Sequence, residues 1–314
     1  MVRFFQLLET AQNRRVLTEK AASKEVPQPT VISAGVDKLE ARIDTTYTKT
    51  DLIKSAKKLG YLVKESGLKE KGRFLKVSKG DQVMHCQYIQ SRGIITRLIS
   101  NPNRFGEWGV FLKFLTTLFP AHLLEQMSVS RLDLNIDFDY SFKDLIESID
   151  IKNKSLAIQY TDRSGVRTGM NIGKGNEYIV IYDKTKVDDI EKPRTRMELR
   201  LSGKKLPTKS IFDLPHALRD LQAFDFLSCH NLSFNSLVTR KELLERQQEF
   251  KIVLGREGYY AARKAFNLNR NFKRDFASLI ELTNWTIQPL QLFQEHIKAF
   301  IGDIGHCKDI GQSH

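Results

Sequence analysis

Residues 130–140 read S-R-L-D-L-N-I-D-F-D-Y, and the reading of this stretch sets the expectations for the rest of the chain. Leu132, Leu134, Ile136 and Phe138 fall on one parity; Arg131, Asp133, Asn135, Asp137 and Asp139 fall on the other. A period of two predicts a β-strand with one apolar and one polar face. Charged residues are depleted from strands, so three aspartates in one row need a cause. Two readings are open: a solvated outer face, or a row of oxygen ligands for a hard divalent cation.

Outward from this strand the pattern is α+β. Upstream, residues 36–43 form a candidate strand, and T-D-L-I-K-S-A-K-K-L (50–59) a short helix, with Thr50 or Asp51 near its cap and Gly60 closing it. Strands are expected at 73–77 and 83–89, joined by a tight turn at Gly80-Asp81, and at 93–99, ending at Asn101-Pro102-Asn103. F-G-E-W-G-V-F-L-K-F-L-T-T-L-F (105–119) reads as a buried helix stopped by Pro120. Downstream come a helix at 141–148, strands at 156–160 and 168–172, and the β-rich run Y-I-V-I-Y-D-K-T-K (178–186). R-T-R-M-E-L-R-L (194–201) repeats the logic of the opening strand, with Arg196, Glu198 and Arg200 on its polar parity. Strands that do not alternate strictly with helices favour an antiparallel sheet with packed helices over a doubly wound parallel fold.

The flanks differ. Residues 1–30 read as an N-terminal arm ending in Pro27-Gln28-Pro29, and 31–208 as the main domain. Beyond it, 209–314 read as a helical C-terminal region, with helices near 214–226, 240–254, 259–268, 272–282 and 289–301. Residues 240–275 hold ten Lys/Arg against five Asp/Glu, interleaved with aromatics. They form either a solvated helical coat or a DNA-reading module, with Arg263, Lys264, Arg270, Lys273 and Arg274 as contacts. No internal repeat is evident.

The 314 residues carry a formal charge of +13, which favours a polyanionic partner, nucleic acid first. Cys86, Cys229 and Cys307 are far apart and odd in number, the pattern of reduced thiols rather than a disulfide framework. With no signal-peptide core and no apolar run near the ~18 residues of a membrane helix, a soluble cytoplasmic protein without membrane contact is expected. The histidines show no H-x-H or H-E-x-x-H pattern, and no G-x-x-x-x-G-K-[ST] or G-x-S-x-G is present. Metalloprotease, P-loop and Ser/His/Asp hydrolase chemistries therefore lack an anchor.

Tyr182 ends a β-run with Lys184 and Lys186 just beyond it, so two ammonium groups stand near a phenol. A free phenol titrates near ~10 and needs a base, cation or metal to attack at phosphorus. If the strands of Asp133 or Asp137 and of Glu198 are neighbours, these carboxylates would hold Mg²⁺ or Mn²⁺ beside it.

The order R-L-D-L-N-I-D-F-D (131–139), Y-I-V-I-Y-D-K-T-K (178–186) and R-M-E-L-R-L (196–201), with R-L-I-S-N-P-N-R-F (97–105) upstream, resembles the replication initiators of staphylococcal-type rolling-circle plasmids. Filamentous-phage initiators and relaxases of integrative conjugative elements are related. The resemblance spans roughly residues 90–205 and implies a divergent HUH-type endonuclease: a five-stranded antiparallel sheet with helices, nicking and rejoining one strand of origin DNA through a covalent phosphotyrosine. It implies Tyr182 as nucleophile, Lys184 or Lys186 as the basic residue after it, and Asp133, Asp137 and Glu198 as candidate ligands of Mg²⁺ or Mn²⁺. The His-hydrophobic-His motif of the wider superfamily is absent. Tyr178 is either a packing residue or a second tyrosine of the kind some phage initiators carry. Arg131, Arg196 and Arg200 join the DNA-contact candidates. The partners implied are single-stranded or supercoiled origin DNA, a host helicase and a second copy in a homodimer, in a bacterial cytoplasm. Two alternatives stand beside this reading: a conjugative relaxase, and a non-enzymatic sequence-specific DNA-binding protein whose acids face solvent.

Overall fold

The computed structural model describes residues 30–43, 46–68, 72–154, 156–188, 191–235, 238–266, 280–285 and 288–302. The expected N-terminal arm, and with it residues 1–29, lies outside them, as do Arg270, Lys273 and Arg274.

The chain opens with β1 (Val31–Arg42), α1 (Lys49–Lys58), β2 (Leu62–Leu68), β3 (Gly72–Lys79), β4 (Gln82–Ile89) and β5 (Ile94–Ser100). A 3₁₀ turn (Pro102–Phe105), α2 (Trp108–Leu118) and α3 (Ala121–Gln126) lead to β6 (Ser128–Phe138). Then follow α4 (Phe142–Ser148), β7 (Ile149–Ile151), β8 (Leu156–Thr161), β9 (Arg167–Lys174), β10 (Glu177–Asp183), α5 (Lys184–Asp188) and β11 (Thr195–Ser202). The last part comprises α6 (Leu214–Arg219), β12 (Leu227–Phe234), α7 (Lys241–Glu257), α8 (Tyr259–Phe266), β13 (Ile280–Asn284) and α9 (Pro289–Ile301).

Ten strands make one sheet in the order β2-β3-β4-β5-β1-β6-β11-β10-β9-β8, each neighbouring pair antiparallel. This corrects the expected five strands. Five belong to each half, and the halves share one topology: a long strand, a helix, then a meander whose last strand returns to pair with the first. β1 and β6 meet at the centre, so a half turn about an axis through the sheet between them superposes one strand order on the other. The duplication left no repeat in the amino-acid pattern.

The apolar parity of the opening strand behaves as expected. Leu132, Leu134, Ile136 and Phe138 are fully buried, in one core with Met197 and Ile181 from neighbouring strands and with Trp108, Phe111 and Leu115 of α2. The core also takes Phe293 and Ile297 of α9, which ties the C-terminal helix to the sheet. α1 starts earlier than its sequence suggests: Thr48 is the cap, in a reciprocal capping box with Asp51 at the third helical position.

The expected all-helical C-terminal region is also corrected. β12 and β13 lie in it and form a three-stranded sheet with β7, in the order β13-β12-β7. The segment expected as a helix over 272–282 ends in β13, where Ile280 pairs with Phe234. Ile280 joins Phe250, Leu254, Tyr259 and Ala262 in a second, smaller core.

Candidate functional site

Of the polar parity of the opening strand, Asp139 is exposed at its end, but the middle of the row is closed off from solvent. Asp133, Asn135 and Asp137 are each at most 3% exposed, and Glu198 beside them is 4% exposed. β11 pairs with β6 so that Arg196 lies opposite Asp137, Glu198 opposite Asn135 and Arg200 opposite Asp133. Each cation therefore faces a carboxylate across the ladder.

The ion pairs run on as a chain of alternating sign. Arg97 meets Glu40 at 3.5 Å, and Glu40 meets Arg131 at 4.0 Å. Arg131 donates through both Nε and an Nη atom to Asp133, at 2.8 and 2.7 Å. Arg200 lies 3.8 Å from Asp133 and donates to Glu198 Oε2 at 2.8 Å. Arg196 is 3.9 Å from Glu198 and forks onto Asp137 at 2.5 and 2.8 Å. Lys184 ends the chain, donating to Asp137 Oδ2 at 3.1 Å.

Pairing sets the protonation of these groups. Burial works against the Arg196 and Arg200 cations, yet Asp137 and Asp37 around the first and Glu198 beside the second hold both above the usual guanidinium range. Burial also opposes ionisation of Asp137, but Arg196 and Lys184 outweigh it and bring its carboxyl below the ordinary range. Asp133 goes the other way: burial exceeds the help of Arg131 and raises it.

Tyr182 stands on β10 opposite Arg196 and donates its hydroxyl hydrogen bond to Glu198 Oε1 at 2.7 Å. Burial, then the negative charge of Glu198, push the phenol far above its ordinary range, so it is held protonated with its proton aimed at a carboxylate. Tyr182, Lys184, Asp137, Arg194 and Arg196 line a cavity of about 850 Å³, which Asp37, Asn101, Asn103 and Arg104 complete from the first half of the sheet.

Five of these contributors, Asp37, Asn101, Asn103, Arg104 and Arg194, were not singled out as site residues. Asp37 enters through a β-bulge: Val36 pairs with Leu134 and Lys38 with Asp133, leaving Asp37 without a partner residue and turned to Arg196 Nη1 at 2.7 Å. Asn101 Nδ2 donates to Asp37 at 3.1 Å. Asn103 Nδ2 donates to Asn135 Oδ1 at 2.9 Å, and its Oδ1 accepts from the Val36 amide at 2.8 Å. Gly35 makes room for this, since a Cβ there would lie 2.2 Å from Asn103 Oδ1. The N-P-N-R turn was the visible signal; the bulge at Asp37 left none.

The remaining expected residues separate. Tyr178 lies on the same face four residues earlier, under the Arg200 guanidinium at 5.8 Å. Lys186 points away from the cavity to Asp162, at 2.9 Å. Arg263 is bound to Asp150 at 2.9 Å, and Lys264 is exposed.

The three acids expected as metal ligands do not come together. Asp133 and Asp137 are four residues apart on one strand, roughly 13 Å at ~3.3 Å per residue. Ligand oxygens of Mg²⁺ sit ~2 Å from the ion, so the two cannot share one. Asp133, Asp137 and Glu198 are each committed to arginine, and among the described residues no three acidic, histidine or cysteine side chains converge. The trio does not fit a single divalent centre.

No protein-family model and no curated protein matches the chain. Among solved structures it is similar to one described as a rolling circle replication initiator protein from Geobacillus stearothermophilus. The identity is 12% and the TM-score 0.39, over 67% of this chain and 90% of that one. Residue roles are accordingly drawn from the site's own geometry. No helix among the described residues is long and apolar enough to cross a membrane.

Proposed function

We propose that the chain is a DNA strand-nicking and rejoining enzyme that initiates rolling-circle replication, with Tyr182 as nucleophile. The observation that carries this reading is the Tyr182–Glu198 hydrogen bond of 2.7 Å on the wall of a cavity lined by Lys184, Arg194 and Arg196. A protonated phenol attacks phosphorus only as its proton leaves, and the hydrogen-bonded carboxylate is placed to accept it. Tyr182 Oη forms the bond to phosphorus, its proton passes to Glu198 Oε1, the P–O3′ bond breaks, and the 3′-oxygen takes a proton from Lys184 or water. The product is a 5′-phosphotyrosine and a free 3′-hydroxyl, and the reverse sequence rejoins the strand. Arg196 and Lys184 offset charge on the phosphoryl oxygens. The order of motifs resembling plasmid initiators, and the charge of +13, support DNA as the substrate.

The Mg²⁺ or Mn²⁺ expected by resemblance enters none of these steps, because Asp133, Asp137 and Glu198 are each paired with arginine. The C-terminal region, with Lys264 exposed on α8, would help recognise the origin.

One observation favours a second reading. Asp133, Asp137 and Glu198 are each already neutralised by a cation, as a purely structural network in a DNA-binding protein would be. Incubating the protein with supercoiled origin plasmid separates the two. Relaxed product with protein on its 5′ end, absent with Tyr182→Phe, supports the enzyme; binding without nicking, with and without Mg²⁺ or Mn²⁺, supports the binder and ends the proposal.

A further inference from the structure

The duplicated topology gives the Tyr182 cavity a neighbour in the other half. β4 occupies in the first half the place of β10 in the second, and His85 lines a cleft there as Tyr182 does in its own. His85 pairs across the ladder with Lys76 on one side and Ile99 on the other. In the second half the residues either side of Tyr182 are Gly169 and Arg196. The first half thus has a cation where the second has glycine, and an apolar residue where the second has its arginine.

This cleft, about 300 Å³, is lined by Lys38, Lys76, His85 and Arg104. It adjoins the catalytic cavity, since Asp37, Asn101 and Arg104 line both. Its electrostatics are the reverse of the ion-pair row. Lys38 is tied to Glu40 at 2.6 Å, but among the described residues neither Lys76 nor Arg104 has a carboxylate partner. Asp37, the acid on its rim, is taken up by Arg196 and Asn101. Burial and the nearby Lys76 and Arg104 charges bring His85 below its usual range, which leaves a neutral imidazole able to donate one N–H. A half-buried lysine and an exposed arginine without counter-charges among the described residues, beside such a donor, are what a phosphate completes.

We infer that the Lys76–His85–Arg104 cleft is a phosphate subsite for the same DNA strand that would be cut at Tyr182, holding its backbone next to the scissile position. It binds and does not react: it has no nucleophile–base pair, and Ile99 stands where Arg196 stands beside the tyrosine. This assignment rests on the nicking reading only for the identity of the strand.

The test is fluorescence anisotropy of a labelled poly(dT) oligonucleotide on the full-length protein, with nicking followed in parallel. Lys76→Gln/Arg104→Gln is compared with Lys57→Gln/Lys58→Gln, which removes the same charge from the last turn of α1. The first double variant should weaken binding about tenfold and reduce the slope of log affinity on log salt by roughly 0.7 for one lost phosphate, the second should do neither. In the wild type the His85 ring resonance should titrate at higher pH when the oligonucleotide is bound, as an adjacent anion requires. Equal binding by the two double variants, or a His85 titration that does not move, overturns the subsite. If the wild type nicks through Tyr182 while the two double variants bind alike, the subsite fails and the nicking reading stands. If nothing is nicked but Lys76→Gln/Arg104→Gln alone weakens binding, the nicking reading fails and the subsite stands. Absence of oligonucleotide binding by the wild type ends both.

Discussion

The two halves of the sheet run the same strand order and spend their charges differently. In the second half, Arg196 and Arg200 on β11 face Asp137 and Asp133 on β6, these four charges are matched, and the Tyr182 hydroxyl is drawn into the row by Glu198. In the first half the same positions in the topology carry Ile99 and His85, and among the described residues Lys76 and Arg104 have no carboxylate partner. One backbone can therefore present either a rigid, self-neutralised row or a cationic cleft. The side chains on two strands decide which. Rigidity suits a group that must be held against a base; unmatched charge suits a ligand that brings its own anion.

The largest expected effects break the second half's chemistry. Tyr182→Phe removes the oxygen proposed to attack and should abolish nicking while leaving oligonucleotide binding and thermal unfolding near wild type. Glu198→Gln keeps a hydrogen-bond acceptor but no base, and nicking under single-turnover conditions should fall about 10²- to 10⁴-fold. Loss of less than about tenfold would remove Glu198 as the proton acceptor.

Stability should divide along the same line. Arg196→Met takes the guanidinium from Asp37 and from Asp137, whose side chain is 4% exposed and keeps only Lys184 as a cation, and should cost about 3–5 kcal/mol in denaturant unfolding. Lys38→Met, in the first half, breaks an ion pair whose lysine is 32% exposed, and about 0–1 kcal/mol is expected. Similar costs for the two would mean that the matched row is no more integral to the fold than the surface pairs.

Much of this contrast was out of sequence reach, for physical reasons. Alternation at 130–140 identified the two faces of β6, because side chains in a strand must alternate. It could not say what covers the polar face: of the cations that neutralise Asp133 and Asp137 only Arg131 is local, whereas Arg200, Arg196 and Lys184 come from 47 or more residues away, and only the fold brings them there. The similar pattern of 194–201 was legible as a second amphipathic strand, and Tyr182, Lys184 and Glu198 do share one site. The duplication was invisible because the halves share topology rather than residues. β2 (Leu62–Leu68) was missed because L-V-K-E-S-G-L has two charges and a glycine, and only its pairing with β3 makes it a strand. Bulged Asp37 follows from a register shift that no local pattern records. The strand Ile280–Asn284 lies in a region rich in helix formers and is fixed by β12, so tertiary pairing overrides its surroundings.

The smallest effect, and the finest probe of the row, is the acid limb of stability. Asp137 and Asp133 lie on one strand, equally buried, yet their carboxyls shift in opposite directions: at Asp137 Arg196 and Lys184 outweigh burial, whereas at Asp133 burial, with the charge of Glu198 added, exceeds the help of Arg131 and Arg200. A carboxyl lowered in the folded state gives stability that is complete above the unfolded value, ~3.9 for Asp, and is lost as pH falls through the lower folded value. A raised carboxyl does the reverse: the folded state binds its proton first, so its unfavourable ionisation is relieved as pH drops toward the unfolded value. Asp137→Asn should therefore lower stability at neutral pH and flatten the loss of stability below about pH 4. Asp133→Asn should change neutral-pH stability less, since the Arg131 it leaves has a side chain 30% exposed and can be hydrated. Urea unfolding of both variants across the acid range reads this directly. If Asp133→Asn proved the more damaging at neutral pH, the strength of the row would lie at its Arg131 end, and the arginine–lysine clamp beside Tyr182 would not be what holds it.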